Sequence, residues 1–258
     1  MLLSVALPAH NQHTHTIIFL HGCGTNAREL SHQVWETKDS RGISLQHIFP
    51  TVKWVFPQAE KIYVERLQQD SRQWFDMWDA RDPEVRRELQ IPGLKSVVPE
   101  LVSLIQSEVA TVGLQNVILA GISQGCAAAI HALLHYPESE QTTGENNRLC
   151  AFVGLSGWMS LRSDSVQESR RELLEPEIEE SAAAPSDEIY RNTPVFISHC
   201  ADNTIVPLRE GERLRDTLTA YGMAVTWKEY PNGGYWINGP QGVEDLVAFL
   251  NDRGLASE

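Results

Sequence analysis

Six short β-rich runs recur along the chain, at residues 16–20, 53–56, 116–120, 151–155, 195–199 and 225–230, and several are apolar on nearly every residue. A strand apolar on both faces belongs to a sheet covered on both sides, which is the pattern of a parallel sheet. Between these runs lie stretches with helical spacing of apolar positions, at 26–34, 95–112, 124–135, 208–221 and 242–253. Strand and helix alternate, so the pattern predicts an α/β protein with a doubly wound, mostly parallel sheet in a three-layer α/β/α arrangement. Asn26 and Glu29 have the spacing of a capping box at the first helix, and Pro137 ends the helix that begins after Ser123.

Residues 160–192 break this rhythm. The segment is rich in Ser, Glu and Ala, acidic side chains outnumber basic ones, and large apolar residues are few. Such a composition predicts a mobile acidic excursion from the domain, or alternatively a lid. With 258 residues, 42% of them hydrophobic, one domain spanning 1–258 can bury a continuous core. A formal net charge of −13 without a basic run disfavours nucleic acid and anionic membrane surfaces as partners. The opening MLLSVALPAH is too short for a membrane span and lacks a basic leader, so a cytoplasmic protein is expected. Cys23, Cys126, Cys150 and Cys200 lack metal-type spacing and lie in or beside apolar segments, so reduced core thiols are expected.

The candidate chemistry lies at Gly121-Ile122-Ser123-Gln124-Gly125, which runs from an apolar strand into a small-residue helix. G-x-S-x-G in that context is a nucleophile elbow: a sharp turn presents the serine, and the two glycines remove side chains that would collide with neighbours. The helix starts at Ser123, so its free N–H groups face any oxyanion formed there. Gln124 N–H is one candidate donor. The second comes from Phe19-Leu20-His21-Gly22-Cys23-Gly24, with Cys23 N–H in that place.

Together, His21-Gly22-Cys23-Gly24, the elbow, Ser198-His199 leading to Val206-Pro207, and Gly233-Gly234-Tyr235-Trp236 resemble successive signatures of the phospholipase/carboxylesterase family of α/β-hydrolases, which contains the acyl-protein thioesterases. The resemblance covers nearly the whole chain. Trp74-Phe75-Asp76-Met77-Trp78 and the 230–236 segment look most similar to fungal-type members. It implies a cytosolic serine hydrolase that acts on a small hydrophobic acyl ester or thioester and needs neither cofactor nor metal. It also implies a triad acid in a loop of the form H-G-x-x-D-x-x-V-P, where this chain has Asn203, and a histidine in a turn where this chain has Tyr235.

Histidine suits the base because its reference pKa is about 6.5, whereas tyrosine, at about 10, stays protonated near neutral pH. Asparagine carries no charge to stabilise an imidazolium. Asp202 is a candidate replacement acid through a one-residue shift, and His21 and His199 are candidates for a relocated base at strand ends on the active-site side. His131 and His135 read as packing or surface residues, and His10, His13 and His15 form a cluster without a clear partner. Trp74, Trp78 and Trp236 are candidate walls of the substrate pocket, with Trp236 expected near the serine. Three readings follow: an impaired or altered ester hydrolase, a non-hydrolytic enzyme that polarises a carbonyl for cyclisation, elimination or isomerisation, and a silent binding protein.

Overall fold

The computed structural model describes residues 2–138, 146–173 and 185–255. Their strands are β1 Ser4–Leu7, β2 His15–Leu20, β3 Val52–Pro57, β4 Lys61–Val64, β5 Gln69–Arg72, β6 Val117–Ile122, β7 Ala151–Leu155, β8 Val195–Cys200 and β9 Val225–Tyr230. The helices are α1 Ala27–Glu36, α2 Leu45–Ile48, α3 Gln90–Val112, α4 Gln124–Leu134, α5 Val166–Leu173, α6 Asp187–Asn192, α7 Leu208–Ala220 and α8 Gln241–Asn251. One seven-stranded sheet has the order β1-β3-β2-β6-β7-β8-β9, with β4 and β5 forming a separate hairpin. Every neighbour pair in the large sheet is parallel except β1 with β3.

The sheet is buried on both faces because successive side chains of its central strands enter different cores. Ile18, Leu20 and Leu119 meet α3, α4 and α7, whereas Ile17, Phe19, Ile118 and Ala120 meet α1, α2 and α8. This is the expected three-layer α/β/α architecture. At the first helix the Asn26 side chain accepts from Glu29 N–H at 3.0 Å, while the Glu29 carboxylate turns to the Thr25 hydroxyl at 2.7 Å, so only half of a capping box forms.

The structure departs from the pattern at three places. The edge strand β1 and the hairpin strands β4 and β5 are only four residues long and largely exposed, so they lack the long apolar runs that mark buried strands. The helix α3 begins at Gln90 rather than residue 95, because Pro92 falls in its first turn, where the missing N–H is harmless. Much of the segment expected as a mobile excursion is helical and packed. Its sparse apolar residues Val166, Leu173, Ile189 and Tyr190 are all buried. Arg170, with 7% exposure, joins the pieces by donating to Leu134 O at 2.6 Å, Ser186 O at 3.1 Å and Asp187 Oδ1 at 2.7 Å. Composition averages over the segment and misses apolar residues placed at helical spacing. The remainder of that expectation, at 174–184, lies outside the described residues.

Candidate active site

Chain direction across the sheet reverses between β2 and β6: the next strand after β2 is added on one side of it, and β7 follows β6 on the other. Such a reversal opens a crevice beyond the carboxyl ends of the two strands. Leu20 is in register with Gly121, so the loop after β2 and the turn after β6 emerge side by side.

Ser123 caps α4 with φ 54° and ψ −123°, a left-handed conformation that costs a non-glycine residue about 1–3 kcal/mol and is held by its surroundings. Its N–H bonds Leu155 O at 2.9 Å, and its carbonyl receives Cys126 N–H at 2.9 Å. A Cβ on Gly121 would collide with the Gly125 carbonyl, and one on Gly125 would collide with the carbonyls of Leu20 and His21. Both glycines of the elbow therefore allow backbone to pass against backbone.

The oxyanion loop lies against the serine: a Cβ on Gly22 would sit 3.5 Å from Ser123 Cβ. Gln124 N–H is the first of α4 and has no intrahelical acceptor, and Cys23 N–H has no carbonyl partner among the described residues. Cys23 is exposed at this loop, unlike the three buried cysteines, which corrects the expectation of four core thiols; all four are free.

The Gln124 side chain does more than sequence reasoning assigned to it. Its Oε1 accepts Trp74 N–H at 2.9 Å, and its Nε2 donates to Phe75 O at 2.8 Å and Gln73 Oε1 at 3.2 Å. Trp74 in turn donates Nε1–H to His21 O at 2.7 Å and packs beside the His21 ring. Residues 73–75 thus brace the oxyanion loop from below, and Trp74, with 3% exposure, is a support rather than an open pocket wall. Trp78 is half-buried, with the Arg86 guanidinium 5.3 Å above its ring.

Tyr235 stands next to Ser123. The phenol oxygen lies over the Cα of Gly22, beside Ser123 and close enough for the two hydroxyls to interact. Burial holds the phenol well above the ordinary tyrosine range, and the neighbouring Ser123 hydroxyl opposes that shift without cancelling it. Ser123 is itself only 1% exposed. Asp202 does not enter as a replacement acid. Its carboxylate accepts Gly234 N–H at 2.8 Å and Gly233 N–H at 3.3 Å, pinning the turn that carries Tyr235.

Asn203, 6% exposed, organises the turn after β8. Its Oδ1 accepts Ile205 N–H and Val206 N–H, both at 3.0 Å, and its Nδ2 donates to Ser156 Oγ at 3.0 Å. These bonds occupy the amide, and none reaches Tyr235. Ser156, at φ 46° directly after β7, receives that donor, and no motif in the sequence marks it.

The histidines proposed as relocated bases are committed elsewhere. His21 Nδ1 faces Gly22 O at 2.7 Å, and Nε2 accepts Ala59 N–H at 3.1 Å, which fixes the Nδ1–H tautomer. His199 Nε2 is bonded to Val206 O at 2.8 Å, while its Nδ1 packs toward Gly211 on α7. Burial lowers the pKa of both. His131 Nε2 meets Ser160 O at 2.9 Å and His135 Nδ1 meets His131 O at 2.8 Å, consistent with packing roles. The amino-terminal histidines diverge: His10 stacks on His47, His13 bonds Thr16, and His15 bonds Thr14. Among the described residues no cluster of metal-ligating side chains forms.

Trp236 corrects the expectation most clearly. Its ring stacks on Phe19 at 6.4 Å and its Nε1–H donates to Thr37 Oγ1 at 2.8 Å, so it joins the core beneath α1 and does not line a pocket at Ser123. Tyr235, its neighbour in the turn, is the residue that reaches Ser123. Trp158, 1% exposed and bonded to Ser160 Oγ at 3.1 Å, is likewise a core residue.

Comparison with known proteins agrees with this geometry. The Phospholipase/Carboxylesterase family profile matches residues 3–252. The chain is similar to Acyl-protein thioesterase 1 of Gibberella zeae, 26% identical over 96% of this chain and 94% of that one. It is also similar to Acyl-protein thioesterase 1 of Schizosaccharomyces pombe, 27% identical over 80% and 76% of the respective chains. The crystal structure of Zea mays acyl-protein thioesterase 2 superposes with a TM-score of 0.72 at 21% identity, covering 98% of this chain and 99% of that one. No described helix is long and apolar enough to cross a membrane. That profile spans nearly the whole chain, and the chain belongs to the phospholipase/carboxylesterase family.

Proposed function

We propose that this protein receives the carbonyl of a hydrophobic acyl ester or thioester at Ser123 and hydrolyses it slowly, because the serine is paired with a phenol instead of an imidazole. The placement of a protonated Tyr235 phenol beside Ser123, where the family's histidine would stand, carries this reading. A base must take the serine proton during attack and return it to the leaving group. A phenol whose pKa is raised does neither efficiently near neutral pH, and Asn203 supplies no charge to help it. The N–H groups of Cys23 and Gln124 are the proposed oxyanion donors, and such donors alone sustain a residual acceleration of about a thousand to ten thousand over water. The acyl substrate class follows from the thioesterase relatives and from the family of the chain.

The decisive comparison is turnover of a medium-chain acyl thioester and its p-nitrophenyl ester by the natural chain, by Ser123→Ala and by Tyr235→His with Asn203→Asp. Slow hydrolysis that vanishes in Ser123→Ala and rises about 100-fold or more in the double variant is expected. Equal rates in the natural chain and the double variant would overturn the reading. Tyr235 as a protonated donor beside the oxyanion loop also favours a second reading, in which the site polarises a carbonyl for a non-hydrolytic reaction. Conversion of an acyl substrate to an isomer without release of its leaving group, lost in Tyr235→Phe, would select that reading.

A further inference from the structure

A second cleft, of about 460 Å³, lies at the other end of the sheet from Ser123. Its floor is formed by Val52 and Trp54 of β3 and by Leu7 of β1. Leu7 pairs with Trp54, and Val52 pairs with His15, the first residue of β2, so this floor sits by the amino ends of β3 and β2, whereas the elbow follows the carboxyl end of the parallel strand β6. Arg28 and Trp35 of α1 form one wall, and Gln46 of α2 contributes another part of it. The volume falls within the range typical of small-molecule sites, about 300–1,000 Å³.

Three features make this cleft more than a packing gap. Trp54 and Gln46 are each only 4% exposed, yet Trp54 Nε1–H and Gln46 Nε2–H have no hydrogen-bond partner. A buried donor without an acceptor is destabilising, and here both belong to residues that line one cleft. Trp35 keeps 43% of its surface exposed at the rim, an unusual placement for the largest apolar side chain. Arg28 brings a cation that has no ion-pair partner among the described residues, and no Asp or Glu lines the cleft.

We infer that this cleft is a binding site for an aliphatic carboxylate, separate from the Ser123 site. The apolar floor takes the chain, and the carboxylate oxygens accept from Arg28 and from the N–H groups that are unpartnered without a ligand. Both buried groups are donors and the wall charge is positive, so the ligand must supply acceptors and negative charge. The donor atoms are closed off from solvent, so occupancy requires side chains of the cleft lining to move. This assignment does not depend on the reading of Ser123, and either can fail without the other.

Titration of the natural chain with decanoate, followed by NMR of the Trp54 indole N–H, tests the site. The expected result is a saturable shift of that resonance, with the Gly121 and Gly125 amides unmoved and decanol at equal concentration without effect. Arg28→Gln, a change at an exposed position, should fold normally and raise the Kd about tenfold, a loss of roughly 1.4 kcal/mol. Trp54→Phe, which keeps the ring packing but lacks the donor, should weaken binding several-fold. A response to decanol equal to that of decanoate, an unaltered Kd in Arg28→Gln, or shifts confined to Gly121 and Gly125 would each overturn the proposal.

Discussion

The phenol oxygen of Tyr235 lies over the bare Cα of Gly22, beside Ser123. The His21-Gly22-Cys23-Gly24 loop, Ser123 and the side chain in the place of the family's histidine therefore meet at a glycine. A side chain at position 22 and the observed tyrosine position exclude each other.

Gly22→Ala should accordingly unseat Tyr235. The added methyl would overlap the phenol oxygen, which is the far end of a side chain and can move, while it meets Ser123 Cβ at an ordinary 3.5 Å. Gly22 does not require a left-handed φ, so the backbone accepts alanine. The expected outcome is labelling of Ser123 by a fluorophosphonate several-fold faster than in the natural chain, with stability lowered by no more than about 2 kcal/mol. Unchanged labelling in a folded Gly22→Ala would mean that Tyr235 does not shield the serine.

The pH dependence of the residual hydrolysis should distinguish phenol from imidazole. Tyr235 stays protonated through the neutral range because burial raises its pKa, so no group beside Ser123 titrates between pH 6 and 9. Turnover should climb with hydroxide concentration across that range and show no inflection. In Tyr235→His with Asn203→Asp the profile should gain an inflection near the histidine reference value of about 6.5. An inflection there in the natural chain would require an imidazole at the serine.

Much of this site could be read from the sequence because its parts are local. The elbow, the HG loop and the replacements at Asn203 and Tyr235 each lie within a few residues of a strand end, and strand order brings them together. Side-chain direction was not legible in the same way. Trp236 is adjacent to Tyr235, yet a left-handed Gly234 at φ 65° precedes the pair, and the two rings enter different places. Asp202 and Asn203 illustrate the same limit: one binds the Tyr235 turn and the other its own loop, a division set by backbone N–H groups that no residue type announces. The Gln124 contacts to residues 73–75 span about fifty positions and leave no local pattern.

Asp202→Ala should loosen the turn that presents Tyr235. The carboxylate is the acceptor for Gly233 and Gly234 N–H, and both bonds are exposed to solvent, so the loss of stability should be small, about 1 kcal/mol or less. Amide exchange at Gly233 and Gly234 should accelerate clearly more than at Leu119 in β6. Equal protection at these glycines before and after the change would show that the turn holds itself.

The elbow glycine Gly125 should be intolerant of the smallest substitution. A methyl there runs into the Leu20 and His21 carbonyls, which belong to a central strand and cannot withdraw without breaking the β2–β6 ladder. Gly125→Ala should destabilise the fold by about 3 kcal/mol or more or abolish it, measured by urea unfolding. Gly24→Ala, with open space around the added carbon, should cost less despite the strain of φ 75°.

Acid sensitivity should trace in part to His131. The residue is fully buried, and burial, aided by His135, lowers its pKa to about 3. In the unfolded chain the imidazole binds a proton near pH 6.5, whereas in the folded chain it stays neutral far below that value. Between those limits the unfolded state carries the extra proton, so stability rises with pH and falls as the solution is acidified from about 6.5 toward 3. The contribution is fully present above pH 6.5, and its loss amounts to about 1.4 kcal/mol per pH unit well inside the window. Replacing His131 with Gln keeps a donor for Ser160 O and removes the titration. Unfolding free energy of His131→Gln should start lower at pH 7.5 and decline less steeply between pH 6 and 4.5 than that of the natural chain. Parallel declines would place the acid response in other groups, among which His21, His135 and His199 also have lowered pKa values.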